Sequence, residues 1–105
     1  MGAGGRIVSR HRVPIDAGRQ LELGWDPPVG SFYVQLWDRA YDPDWEWGAP
    51  VKAAGYHPVE QALDPQGDYG PFPILTVAAL DAVLGGWGLP AVPLRVASLL
   101  RGDQA

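Results

Sequence analysis

The chain has 105 residues, 47% of them apolar and none of them cysteine, with a net charge of −4. That length fits one domain, which buries roughly 65% of its unfolded surface and holds a modest core without staples. The composition excludes disulfides and thiolate metal sites, argues against disorder, and leaves no run near the roughly 18 apolar residues of a membrane span.

Fourteen glycines and eleven prolines predict short elements broken by many turns. Residues 1–6 read as a flexible lead-in with no signal-peptide pattern, so the expected compartment is the cytosol. From Arg10 the pattern alternates: His11, Val13 and Ile15 point one way, Arg10, Arg12 and Pro14 the other. Proline inside this run removes a ladder donor and places the strand at a sheet edge. Asp16-Ala17-Gly18 signals a turn. Leu21, Leu23 and Trp25 then alternate with Gln20, Glu22 and Gly24, a period of two that defines a strand with one buried face.

Asp26-Pro27-Pro28-Val29-Gly30 forms the next connection, and residues 31–37 make a third strand. Phe32, Val34 and Leu36 share one of its faces, and Tyr33, Gln35 and Trp37 the other. Both faces are largely apolar, which predicts a central strand covered to some degree on each side. Residues 38–50 read as a polar and aromatic loop, 51–56 as a weaker fourth strand, 58–63 as a short helical turn, and 64–73 as a surface loop. The C-terminal third changes period. Thr76 is an expected N-cap for a helix over 77–84, with Val77, Leu80, Val83, Leu84 and Trp87 as its apolar stripe, Asp81 as the main polar break, and Gly85-Gly86 as its end. Pro90 and Pro93 open a second helix through Leu100, with Val92, Val96, Leu99 and Leu100 expected inside. The expected fold is a single α+β domain over residues 1–105: an antiparallel three- to four-stranded meander followed by two short helices packed on one face.

Residues 24–38, GWDPPVGSFYVQLWD, resemble the hairpin region of short proteins from high-GC bacteria, some carried on plasmids or phages. The resemblance covers that hairpin alone and carries no activity.

Candidate chemistry is sparse. Asp42, Asp44 and Glu46 lie two apart and would share a side of an extended loop, suited to acid–base work or a hard cation. The calcium-loop template fails, because Trp47 stands where glycine is needed and Ala53 where glutamate is needed. His57 with Glu60 is the minimum pair for base catalysis, but no serine-centred elbow, zinc-protease motif or phosphate loop accompanies it. His11 and His57 are the only histidines, and each reads first as a turn residue or hydrogen-bonded filler. Gly2 to Gly5 follows no strand and does not make a nucleotide loop. Ser31 and Ser98 are explained by a strand edge and a helix surface. No metal or other cofactor is expected.

The aromatic residues carry the better signal. Of five tryptophans, Trp25, Trp37 and Trp87 sit at positions compatible with packing. Trp45 and Trp47 lie in the loop among acids, with Tyr41 nearby. Tryptophan buries a large area with few rotatable bonds and is enriched in binding hot spots. The alternative is a lid folded over the sheet. Residues 20–70 carry nine acids against Arg39 and Lys52, which disfavours direct contact with nucleic-acid phosphates.

These residues point to a small non-catalytic protein-interaction module. It would bind a partner with a basic surface through Tyr41, Asp42, Asp44, Trp45, Glu46 and Trp47. One form is an accessory or inhibitory protein of a bacterial mobile element. The alternative is a small-ligand binder, for carbohydrate among others, or a minor enzyme that uses Tyr41, Trp45 and Trp47 as a stacking platform. Self-association through the exposed sheet face is a further option.

Overall fold

A computed structural model describes residues 8–40, 50–56 and 71–105. Four strands form one antiparallel sheet in the order of the chain: β1 His11–Pro14, β2 Arg19–Asp26, β3 Ser31–Asp38 and β4 Lys52–Ala54. Two helices follow, α1 Val77–Gly86 and α2 Leu94–Gln104. The expected meander with two C-terminal helices is the observed architecture. No described helix is long and apolar enough to cross a membrane.

Local chemistry sets the turns. In the β1–β2 hairpin, Asp16 Oδ1 accepts the N–H groups of Gly18 and Arg19 at 3.0 and 2.9 Å, and its Oδ2 accepts from Arg19 Nε at 2.9 Å. The Gly18 N–H, then the Arg19 side chain, hold this exposed carboxyl below its ordinary value. In the β2–β3 connection, Gly30 adopts φ +64° and its N–H reaches Asp26 O at 2.9 Å. A left-handed residue there is what glycine supplies without a Cβ clash.

The register carries the alternation into one core. His11 lies opposite Leu23, Leu23 opposite Val34, and Val34 opposite Ala54. Leu21, Leu23, Phe32, Val34 and Leu36 therefore share the face that packs against Leu80 and Leu84 of α1 and against Val96 and Leu100 of α2. Each fully buried side chain of this kind stabilises the fold by about 1.5–3 kcal/mol. Helix α1 starts where expected: Thr76 accepts from the Ala79 N–H at 3.0 Å. Asp81, the polar break in its stripe, accepts from the Val92 N–H at 2.8 Å and so ties the link between the helices to α1.

Several expectations need correction. Helix α1 runs through Gly85-Gly86 instead of stopping before them, with Trp87 as its C-cap. Helix α2 starts at Leu94 and extends past Leu100 to Gln104. Its buried residues are Val96, Ala97 and Leu100, whereas Leu99 is 48% exposed. Leu99 lies three residues from Val96, at the margin of the apolar stripe, and the docking of α2 on the sheet turns that margin outward. Trp25 and Trp87 pack against the core, but Trp37 lies on the opposite sheet face across from Gln20. Ser31 is fully buried rather than at an exposed edge: its hydroxyl donates to Phe32 O and accepts from the Ile74 N–H, both at 2.8 Å. The Phe32 N–H in turn donates to Ile74 O at 2.9 Å. Together these bonds fasten the segment before α1 to the sheet. The expected helical turn over 58–63 and the lead-in over 1–6 lie outside the described residues.

Candidate functional site

The sheet face opposite the helices is where polar and aromatic side chains gather. Strand pairing aligns Arg12, Glu22, Gln35 and Ala53 in one row across all four strands. Pro14, Gln20 and Trp37 form a neighbouring row, and Gly24 faces Tyr33. This face is thus built by the residues that alternate with the core positions.

Two hydrogen-bonded groups organise it. The amide of Gln35 donates through Nε2 to the Tyr56 hydroxyl and accepts from Trp37 Nε1 at 3.2 Å. Glu22 Oε1 stands 3.5 Å from Arg12 Nε and 3.8 Å from Arg10 Nε. The Glu22 side chain is only 15% exposed, while the arginines are 67% and 64% exposed. Exposed pairs of this kind contribute little stability, about 0–1 kcal/mol, because water competes for both charges.

Gly24 makes room for the chain to cross this face. The Ser9 N–H donates to Trp25 O at 3.0 Å, and the Trp25 N–H donates to Ser9 Oγ at 2.8 Å. The Ser9 carbonyl then lies over Gly24, where a Cβ would meet it at 2.0 Å. The Tyr33 hydroxyl donates to that same carbonyl at 2.7 Å.

A depression of about 190 Å³ opens here. Val8, Arg10, Glu22, Tyr33, Gln35 and Tyr56 line it, with Asp26 and Gly55 at its rim. Small-molecule sites usually enclose about 300–1,000 Å³, so the space fits a single side chain better than a whole ligand. Among the described residues, no group of three histidine or acidic side chains is placed to hold a metal ion.

Burial pushes the Tyr33 phenol above its ordinary value of 10.0, against the Arg10 hydrogen bond that lowers it; the charges of Glu22 and Asp26 add to the rise. The folded state therefore favours the neutral phenol. Its contribution to stability is complete below pH 10 and is lost as the pH rises through the higher folded value. Ultraviolet tyrosinate titration of wild type and Tyr33→Phe is expected to assign the later-ionising phenol to Tyr33. Ionisation of Tyr33 within the ordinary tyrosine range would show that its hydroxyl is solvated.

The residues singled out from sequence, Tyr41, Asp42, Asp44, Trp45, Glu46 and Trp47, lie outside the described residues, as do His57, Glu60 and Gly2 to Gly5. The flanks of the 41–49 segment are described. The Arg39 N–H donates to Gly18 O at 2.9 Å, and the Val51 N–H donates to Leu36 O at 2.8 Å. Both flanks thus attach at the end of the sheet that carries Trp37. His11 is hydrogen-bonded through Nε2 to Asp103 Oδ2 at 2.7 Å, which joins the edge strand to the last turn of α2.

Sequence reasoning did not assemble the depression. It assigned Tyr33, Gln35 and Trp37 to one face, but gave Arg10, Glu22 and Tyr56 no role there. Ser9 was not weighed among the serines. The available signal was the aromatic and amide character of the non-core face of a central strand. No family model, curated protein or solved structure matches the chain.

Proposed function

We propose that this chain is a small non-catalytic protein-interaction module whose partner presents a basic surface. The observation that carries the reading is the sheet face opposite the helices, with Gln35, Trp37 and Tyr56 held in one hydrogen-bonded frame beside Arg10, Arg12 and Glu22. Side chains fixed before binding lose less entropy on association.

Charge distribution supports a basic partner. Six of the twelve acids fall in residues 41–49 and 57–70, which contain no lysine or arginine. The described residues carry six acids against seven basic side chains. Asp42, Asp44 and Glu46, with Tyr41, Trp45 and Trp47 beside them, form the acidic and aromatic part of the proposed contact. An accessory or inhibitory protein of a bacterial mobile element, acting in the cytoplasm on an enzyme with a basic channel, is the form that fits this charge. The small size of the depression weighs against the small-ligand reading.

The test is capture from a bacterial lysate with identification by mass spectrometry, comparing wild type with the double variant Trp45→Ala, Trp47→Ala. The expected result is a protein retained by wild type, lost from a folded variant, and released as salt rises past about 0.1 M, where screening reaches roughly 10 Å. A partner held equally by both proteins would remove the loop from the contact. No retained protein would overturn the reading.

A further inference from the structure

We infer that the depression on the open sheet face is a receptor for one cationic side chain, arginine or lysine, of the protein partner. The inference rests on the interaction reading above and adds the chemistry of a specific contact within it.

The depression holds Glu22 and Asp26 against a single cation, Arg10. The Glu22 carboxylate is 15% exposed and is already held among nitrogen donors, with Arg12 Nε at 3.5 Å and Arg10 Nε at 3.8 Å. The Arg10 contact is long and its side chain is 64% exposed, so displacing it costs little. A guanidinium or ammonium entering beside Arg10 would exchange water for a partly buried carboxylate, the setting in which charge-assisted hydrogen bonds are strongest. Tyr33 and Tyr56 contribute aromatic wall, which attracts cations, and Val8 contributes apolar wall for an aliphatic stem. An anionic guest would find one arginine and two carboxylates. The volume of about 190 Å³ sets the guest at one long side chain.

Arg10 is then an internal competitor, and this gives the proposal a result that a plain acidic surface would not show. The probes are N-acetyl-arginine amide, N-acetyl-lysine amide and N-acetyl-glutamate amide, whose blocked termini leave only the side-chain charge. Titration followed by NMR is expected to give saturable shifts with the two cationic probes. The shifts should fall on the Gln35 side-chain amide and the backbone amides of Val8, Gly55 and Tyr56, with dissociation constants in the millimolar range. Glu22→Gln should weaken binding about tenfold, and Arg10→Ala should strengthen it about two- to fivefold. Asp26→Asn serves as a second variant if Glu22→Gln disturbs the sheet.

No saturable shift with either cationic probe would overturn the inference, as would preferred binding of the glutamate probe or weaker cation binding by Arg10→Ala. This outcome is separate from that of the capture experiment. A partner retained by wild type and lost from the tryptophan variant, with no cation binding here, would leave the interaction reading standing and remove the receptor. Cation binding without any captured partner would remove the interaction reading and with it the assignment of the guest to a partner protein.

Discussion

Gly24→Ala is expected to destabilise the fold by about 2–4 kcal/mol, because the new methyl group has nowhere to go. Its Cβ would lie 2.0 Å from Ser9 O, 2.7 Å from Ser9 C and 3.0 Å from Tyr33 Cε1. Two of these three atoms are backbone, so the segment at Ser9 must lift away. Lifting it breaks the bonds from Ser9 N–H to Trp25 O, from Trp25 N–H to Ser9 Oγ, and from the Tyr33 hydroxyl to Ser9 O. Each is worth about 0.5–1.5 kcal/mol net. Strand β1 retains its own pairing from His11 to Pro14, so the loss is confined to the crossing. Urea unfolding would measure the loss, with Gly85→Ala as the control, since a Cβ there meets nothing within 4 Å. The Tyr33 phenol of Gly24→Ala should also ionise closer to its ordinary range as its covering segment leaves. Stability within about 0.5 kcal/mol of wild type would show that the Ser9 crossing contributes nothing to the fold.

Phe32→Ala is expected to have the larger effect, about 3–5 kcal/mol, because the side chain is fully buried at the centre of the core. Its ring meets Trp25 edge to face, with centroids 4.9 Å apart and planes at 66°. Truncation removes that pair and leaves a cavity beneath the helices that rigid strands cannot close. A domain of this size has about 5–15 kcal/mol of total stability, so the variant should lose a large share of it. Thermal unfolding should shift down by more than about 10 °C, and the near-ultraviolet circular dichroism from Trp25 should weaken. A shift of only a few degrees would mean that neighbouring side chains collapse into the space.

The sheet was legible because its strands advertise themselves locally. Leu21, Leu23 and Trp25 alternate with polar residues, and Phe32, Val34 and Leu36 repeat the pattern after a connection rich in proline and glycine. Two such runs separated by a short turn pair antiparallel, so the alternation also set the register and the buried face. The Thr76 cap was legible for the same reason: a hydroxyl three residues before a free N–H is a local arrangement.

The site was less legible because its parts are distant in sequence. The Tyr33 hydroxyl and the Ser9 carbonyl lie 24 residues apart, and Gln35 and Tyr56 lie 21 apart. Periodicity shows that Tyr33, Gln35 and Trp37 share a face, but it does not say which residues from other strands meet them. Trp37 and Ser31 show the same limit. An apolar ring or a small hydroxyl fits either an exposed or a covered position, and strand placement chooses.

By itself the sequence determined the four strands, their turns, the start of α1 and the face of the sheet that enters the core. Those features depend on spacing within a few residues, where steric and hydrogen-bonding preferences act directly. Only the tertiary structure decided that α2 continues to Gln104, where Asp103 meets His11 at 2.7 Å across 92 residues and Gln104 Nε2 donates to Leu75 O at 2.7 Å. It also decided that Leu99 faces outward and that Arg10, Glu22, Tyr33, Gln35 and Tyr56 surround one depression. These outcomes depend on how preformed elements dock, and docking is governed by the summed burial of many residues rather than by any local pattern.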